Sequence, residues 1–340
     1  MKQIPFALCG YSLPHVMGYL AAKDGEKPEK PLDPLGLMLF AKEAGLVGAE
    51  FSLAAQVPSF DGALVETGEN RSDWKSLLEA HGLKIVADYG ALLDYPAEHL
   101  KEYLKTAQEA GAKTVRAVLS HILCGDRRNF AGGWDAHRDA LAKRLQEVIP
   151  YAEELGVCLA VENHQDATSD DLLWLAERVN YSPAFGVTLD AGNPLAVGEE
   201  PIAYTQAIAS IVRHIHLKDY KVYLAPEGYR LVRCSAGQGA IPFPEMLAIV
   251  AKNGHDVLPA IEVAAQATRT IPVNEPDWWA RYPTEQRAKY EGVIPFLEKH
   301  ALPMDAPYSS AWERGESSAA VMAEEWLVVR ESVAYFASIG

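Results

Sequence analysis

Short apolar runs alternate with amphipathic stretches along most of the chain, which is the pattern of βα units and a parallel sheet. Eight runs have the length and content of strands, at 5–9, 48–52, 84–88, 114–119, 157–162, 185–190, 214–217 and 258–263. Helical patterns lie between them at 34–44, 72–81, 97–110, 134–155, 169–179, 201–211 and 244–252. Gly45, Gly82, Gly111, Gly156 and Gly254 stand where helix C-caps belong, and Ser169-Asp170-Asp171 offers an N-cap with an acidic first turn. Eight strands with intervening helices predict an α/β fold, a closed (β/α)8 TIM barrel. The alternative is an open doubly wound sheet, but its nucleotide-binding forms carry a glycine-rich phosphate fingerprint after the first strand, and none is present.

Three regions exceed a minimal barrel. Residues 11–33, with Pro14, Pro28 and Pro31, are expected to cross the barrel mouth as a loop, and 220–239 is long enough for a lid. Beyond Glu262, the segment PDWWARYP precedes a helical pattern at 285–300 that Pro295 interrupts. A last helical pattern spans 318–338, where Met322, Trp326, Val329, Val333 and Phe336 recur at spacings of three and four. That stripe needs a partner surface, either the barrel's own helices or another subunit. The expected division is therefore a barrel over 1–299 and a C-terminal helical extension over 300–340.

Composition narrows the partners. The chain holds 31 Lys and Arg against 46 Asp and Glu, a net charge of −15. Phosphate-backbone and anionic-membrane binding normally need a basic surface, so no nucleic acid and no membrane partner is expected. The start, MKQIPFALCGYSLP, has one Lys and no long apolar core, and the expected location is the cytoplasm. Cys9, Cys124, Cys158 and Cys234 show no C-x-x-C pairing and read as reduced thiols in or near the core.

The chemistry is written at the strand ends. VENHQD closes an apolar run on Glu162, GVTLDAGN ends in Asp190, RHIHLKD carries His216, and VLPAIEV closes on Glu262. A carboxylate at the end of a core strand needs a metal, a counter-ion or a proton. Parallel α/β folds place ligands at those C-terminal ends. Three oxygen donors and one imidazole without thiolate suit Mn2+, Mg2+ or Co2+ better than structural zinc. A hard cation with open positions could chelate a carbonyl and the adjacent hydroxyl, acidifying the neighbouring C–H and stabilising the enediolate. The competing reading is that Glu162 and Glu262 pair with Arg or Lys across the mouth.

The motifs VENH, LDAGN, HIHLKD and IEV, with AGQGAIPF between the last two, resemble the sugar phosphate isomerase/epimerase superfamily of xylose-isomerase-like barrels. The likeness covers residues 1 to about 265, and its strongest motifs lie after 155. It implies that Glu162, Asp190, His216 and Glu262 bind one divalent metal ion, Mn2+ first, and that Glu162 and Glu262 face each other as an acid/base pair. It also implies a carbohydrate substrate and isomerase or epimerase chemistry. The ketose epimerases carry a His three residues after the metal-binding Asp, where this chain has Asn193, which at most hydrogen-bonds a hydroxyl. His164, two residues beyond Glu162, should face the ligand and is a candidate general base, or else a residue orienting Glu162. That arrangement resembles large subunits of C-glycoside deglycosidases, which work beside a small second subunit, and decarboxylases of branched 3-keto sugar acids. A lyase on a 3-keto sugar is therefore the alternative function. The chain is expected to be an oligomer, and the deglycosidase likeness implies such a second subunit.

Weaker candidates surround these residues. Lys218 could contact a substrate oxygen or Glu262, Arg233 could clamp substrate, and His121 could reach it from the end of strand four. Tyr11 and His15 follow strand one, and His214 should point into the barrel one layer deeper than His216. Two further readings compete: a barrel that kept its ligands as a non-catalytic binding subunit, and nucleic-acid repair as in the endonuclease branch. The second needs a His-rich trinuclear zinc cluster, which a single His ligand does not provide.

Overall fold

The computed structural model describes residues 4–23, 25–53, 71–128, 130, 132–263, 267–303 and 309–339, with side chains of 71–74 and 77 excepted. In chain order the strands are β1 (Ala7–Cys9), β2 (Gly48–Phe51), β3 (Lys84–Ala91), β4 (Thr114–Val118), β5 (Cys158–Glu162), β6 (Phe185–Asp190), β7 (Val212–Leu217), β8 (Asp219–Ala225), β9 (Gly228–Cys234), β10 (Leu258–Ile261) and β11 (Arg269–Ile271). The α-helices are α1 (Pro34–Glu43), α2 (Arg71–His81), α3 (Ala97–Glu109), α4 (Trp134–Leu155), α5 (Ser169–Arg178), α6 (Pro201–Ile208), α7 (Phe243–Ala251), α8 (Thr284–Glu291), α9 (Ile294–His300) and α10 (Ser318–Ile339). β1 to β7 and β10 pair in parallel into a closed barrel, with β10 between β7 and β1. Every expected strand and every expected barrel helix is present, and the fold is the (β/α)8 TIM barrel.

Successive side chains of each strand alternate between the barrel interior and the helices. In β4, Val115 and Ala117 join the main apolar core, whereas Arg116 between them reaches carboxylates of the neighbouring strands. Small or β-branched residues outside and a single charge inside make this strand a carrier for the site.

The expected lid at 220–239 is instead a hairpin. β8 and β9 pair antiparallel from Asp219↔Cys234 to Ala225↔Gly228, and β11 adds a third strand to β9. The reason is alternation: Tyr220, Val222 and Leu224 face Tyr229, Leu231 and Arg233 around a short turn. Gly228 permits the third strand, since a Cβ there would lie 2.1 Å from the Ile271 carbonyl oxygen.

The 285–300 pattern divides as expected, into α8 and α9, with Pro295 in the first turn of α9 where its missing N–H costs nothing. The N-cap of α5 is Thr168, one residue before the expected start, and it forms a reciprocal capping box with Asp171. The stripe on α10 packs on the barrel itself. Phe336 lies 5.0 Å from Phe6 and 5.2 Å from Phe243 between ring centroids, and Trp326 meets Phe40 of α1 edge-on at 4.8 Å. α10 thus fills the eighth helix position, between α7 and α1. Glu325 on its buried side accepts from the backbone N–H groups of His15 and Val16 and pairs with the His15 ring at 2.6 Å. His15 is accordingly a structural residue. No helix among the described residues is long and apolar enough to cross a membrane.

Candidate metal centre

Glu162 ends β5, Asp190 ends β6, His216 lies one residue before the end of β7, and Glu262 follows β10. Strand pairing sets Asp190 opposite His216 and His216 opposite Ala260. Four adjacent barrel strands thereby bring one ligand atom each to within 4.8 Å of one another, all on buried side chains. Asn163 locks two of these strand ends: its side chain accepts from Asp190 N at 2.7 Å and donates to Asp190 O at 3.2 Å.

The competing expectation, ion pairing, is also met in part. Arg116 donates to Glu162 Oε2 and reaches Asp88 Oδ1 at 2.7 Å. Lys218 donates to Asp190 Oδ2 and lies 2.9 Å from Glu262 Oε2. Burial raises the Glu162 carboxyl, but Arg116 and His216 outweigh it and hold the group well below the usual range. Glu262 is likewise held at about 2, burial being overcome by Lys218 and His216. Both glutamates are therefore ionised at neutral pH.

The donor set nonetheless fits a cation. His216 Nε2 faces Glu50 at 2.8 and 2.9 Å, and although burial acts the other way, Glu50 and Glu162 raise its imidazole well above the ordinary range. Its Nδ1 then points at Glu262 Oε2, 3.0 Å away, and at Glu162 Oε2, 3.5 Å away, with hydrogen-bond geometry to neither. Glu162 Oε1 is buried and has no hydrogen-bond partner. A ring nitrogen aimed among carboxylate oxygens, with the other nitrogen anchored by a carboxylate, is the usual arrangement of a metal-ligating histidine, and a cation there would take the place of the Nδ1 proton. A second group, Cys9, Glu50 and His216, is close enough to hold an ion. Both Glu50 oxygens are already engaged by His214 and His216, and burial raises the Cys9 thiol well above its usual range, so this group fits a cation less well.

A cavity of about 510 Å3 opens above the cluster, bordered by His216, Glu262, His164, Arg116, Arg233 and Arg269. His164 faces it as expected. Burial draws its imidazole down to about 4, so the ring is neutral at pH 7, and its Nδ1 is buried without a partner. The loop that carries it, 163–168, is pinned by Arg127, which donates to Asp166 O and Asp171 and lies between the rings of Trp134 and Tyr282. His121 borders the outer cavity, largely exposed, and pairs with Asp94 at 3.0 Å. Lys218 is buried against Asp190 and Glu262, so of its two expected contacts it makes the one to Glu262. Asn193 is buried beside Tyr220, whose hydroxyl donates to its amide oxygen at 3.4 Å. His214 sits deeper, on Glu50, as its spacing implied.

Sequence reasoning missed Glu50, Asp88, Arg116, Asn163 and Arg269. Glu50 and Arg116 had a readable signal, a single charge inside an otherwise uncharged strand at 48–52 and 114–119, and Asp88 closes the run 84–88 on a carboxylate as Glu162 closes its own. Asn163 and Arg269 had none. The AGQG motif acquires a reason: Gly237, Gly239 and Ile241 donate backbone N–H groups to Asp219 of HLKD, and a Cβ on Gly239 would lie 2.2 Å from its Oδ1.

Barrel and donor cluster together define a TIM barrel with a candidate divalent-metal centre at the C-terminal ends of its strands. Its sequence matches the xylose isomerase-like TIM barrel family over residues 38–282, and the chain belongs to that family. A 3-oxo-isoapionate decarboxylase of Pectobacterium atrosepticum is 25% identical over 190 residues, 54% of this chain and 65% of that protein. The match thus spans less than two thirds of the relative's length. The 3-keto-D-glucoside 4-epimerase of E. coli superposes with a TM-score of 0.54 at 12% identity, covering 88% of this chain and 100% of that one. A xylose isomerase-like barrel of Mycobacterium smegmatis in complex with magnesium gives 0.55 at 16% identity, covering 88% and 98%. At these identities the two structures share the fold.

Proposed function

We propose that the chain is a divalent-metal-dependent isomerase or epimerase that removes a proton from the carbon beside a carbonyl of a sugar or keto-sugar. The observation that carries this reading is the convergence of Glu162, Asp190, His216 and Glu262, with one ligand atom of each within 4.8 Å of the others and His216 Nδ1 buried without a hydrogen-bond partner. Glu162, Asp190, His216 and Glu262 would hold the ion. The oxygen-rich set favours Mn2+, Mg2+ or Co2+, and a bound ion of this kind polarises a carbonyl oxygen as a Lewis acid.

The rest is performed by the chain's own groups. His164 is neutral and half-buried on the cavity wall, with its Nδ1 buried and unpartnered, which suits it to take the proton. The proton that His164 takes is the one its imidazolium gives back to the substrate, and Glu262, ionised and bordering the cavity, can only accept a proton from its own side. Arg116 and Lys218 keep Glu162, Asp190 and Glu262 in place while substrate enters. Arg233 and His121 would contact substrate hydroxyls or its far end, whereas Asn193 would act through Tyr220.

A second reading, a lyase on a 3-keto sugar or its acid, is favoured by the decarboxylase relative and by Asn193 in place of a second proton-transferring histidine. One experiment separates the two. Mn2+-loaded protein is incubated with keto-sugars and keto-sugar acids in D2O, and products are followed by NMR with CO2 capture. Deuterium at the carbon beside the carbonyl with carbon count conserved supports isomerisation; loss of one carbon as CO2 supports the lyase. Neither result, over a panel of both substrate types, would remove the enzyme reading.

A further inference from the structure

His164 stands at the apex of a tight turn. The Gln165 N–H donates to the Asn163 carbonyl at 2.9 Å, an i to i+2 bond that closes a γ-turn with His164 in its middle. Both flanks of the turn are tied down. Asn163 is fixed to the Asp190 backbone by both ends of its amide. Gln165 is fixed to the loop after β4, where its Oε1 accepts from Cys124 N at 3.0 Å and its carbonyl accepts from Gly125 N at 2.9 Å. Cys124 and Gly125, both left-handed at φ 57° and 62°, thus present consecutive N–H groups to one residue. That loop is held from behind, since Trp278 Nε1 donates to Cys124 O at 3.2 Å and the Tyr282 hydroxyl to Gly125 O at 2.7 Å. Gln165 bears two local penalties in this seat. Its φ is 69°, a conformation that favours glycine, and its buried Nε2 has no hydrogen-bond partner among the described residues. Glycine would remove both, so what the glutamine side chain supplies is its accepting oxygen.

We infer that Gln165 is the positioning residue of His164: its Oε1, seated on Cys124 N, fixes the turn so that the imidazole projects into the cavity. The chemical purpose of that clamp rests on the enolising role proposed for His164, whereas the clamp itself rests on the geometry. Asn163 secures the other flank but also carries Asp190, a member of the donor cluster. Gln165 is the flank whose side chain can be changed while the donor cluster keeps its own contacts.

The test uses full-length protein labelled with [13C]histidine and kept in Mg2+, with the His164 Cε1–H NMR signal identified by its loss in His164→Asn. Gln165→Asn tolerates the left-handed backbone but is one carbon too short to reach Cys124 N. The His164 signal should therefore shift or split, with the other histidine signals unmoved. Gln165→Glu keeps an acceptor oxygen at the original reach and should retain a single His164 signal. Should Gln165→Asn not fold, Gln165→Met, of the wild-type length but without an acceptor, carries the same comparison. The inference is overturned if the His164 signal stays in place in the folded Asn or Met variant, or if Gln165→Glu disturbs it as much. Solvent deuterium exchange into D-fructose and 3-keto-D-glucose reads the chemical purpose. In a wild type that exchanges, Gln165→Asn should slow exchange at saturating probe by about 10–100-fold, with KM and Mg2+ affinity retained. An unchanged rate overturns the positioning role. A displaced His164 signal in a protein that exchanges neither probe keeps the clamp and removes the enolising role; exchange with an unmoved signal does the reverse.

Discussion

Glu50 lies 2.8 Å from His216 Nε2 through one carboxylate oxygen and 2.9 Å through the other. A residue on the far side of the ring thereby decides which nitrogen faces Glu162 and Glu262. Glu50→Gln keeps the shape but removes the charge that makes the ring basic. Affinity for Mn2+ or Mg2+ should fall by about 10–100-fold with the fold retained, as read by titration calorimetry. Unchanged affinity would show that His216 does not depend on Glu50.

His164 and Glu162 should fail differently. His164→Asn should keep metal content and melting temperature while lowering kcat by about 10²–10⁴-fold and abolishing solvent deuterium exchange. Glu162→Gln removes a ligand and should lower metal content as well. Wild-type exchange in His164→Asn would move the base to Glu162 or Glu262.

Lys218 neutralises the buried Asp190 and Glu262 carboxylates. Lys218→Met leaves Asp190 without its cation and Glu262 with His216 alone, so the chelator-treated variant should lose on the order of 3–5 kcal/mol of stability. Added Mn2+ should restore more melting temperature to the variant than to the wild type. Equal shifts in both would separate Lys218 from the cation site.

Asp166 gives a pH signature away from the donor cluster. Burial pushes its carboxyl up to about 7, partly opposed by a hydrogen bond from Ser120, and its Oδ1 has no partner. The folded state holds this proton more tightly than the unfolded chain. Its contribution to stability is therefore full below pH ~4, the carboxylate's ordinary range, and is lost as pH rises through 7. Asp166→Asn escapes that loss, so the melting temperature of the variant relative to wild type should rise between pH 5 and pH 8, by a gain on the order of 1–3 kcal/mol. A flat difference across that range would show that the carboxyl is ionised throughout.

Helix α10 completes the barrel wall. Removing 318–339 should expose the apolar faces of α1 and α7 and give aggregated protein rather than a smaller oligomer, as light scattering after size exclusion would show. Phe336→Ala should cost about 3–5 kcal/mol in denaturant unfolding. A monodisperse, folded truncation would mean that α10 serves as a subunit contact.

The barrel was legible because each strand and helix repeats one local pattern, and Glu162, Asp190, His216 and Glu262 were legible because charge at a strand end breaks that pattern. What escaped depends on pairing between distant segments. Glu50 and Arg116 are single charges inside their strands, a signal without an address, because only closure of the sheet brings them to His216 and Glu162. The hairpin at 219–234 hid behind a stretch whose alternation was read as a loop. The stripe at 318–338 showed that a partner was needed but not which, because Phe6 and Phe243, which it covers, lie far off in sequence.

The bond between His15 and Glu325 spans 310 positions. The first segment over the cavity, which carries Tyr11 into its lining and Ser12 between β1 and β10, is fastened by a carboxylate made near the other end of the chain. During synthesis the ribosome must therefore deliver residue 325 before that segment can settle. A nascent chain halted earlier would present an open barrel with apolar α1 and α7 uncovered, the state that chaperones and proteases recognise.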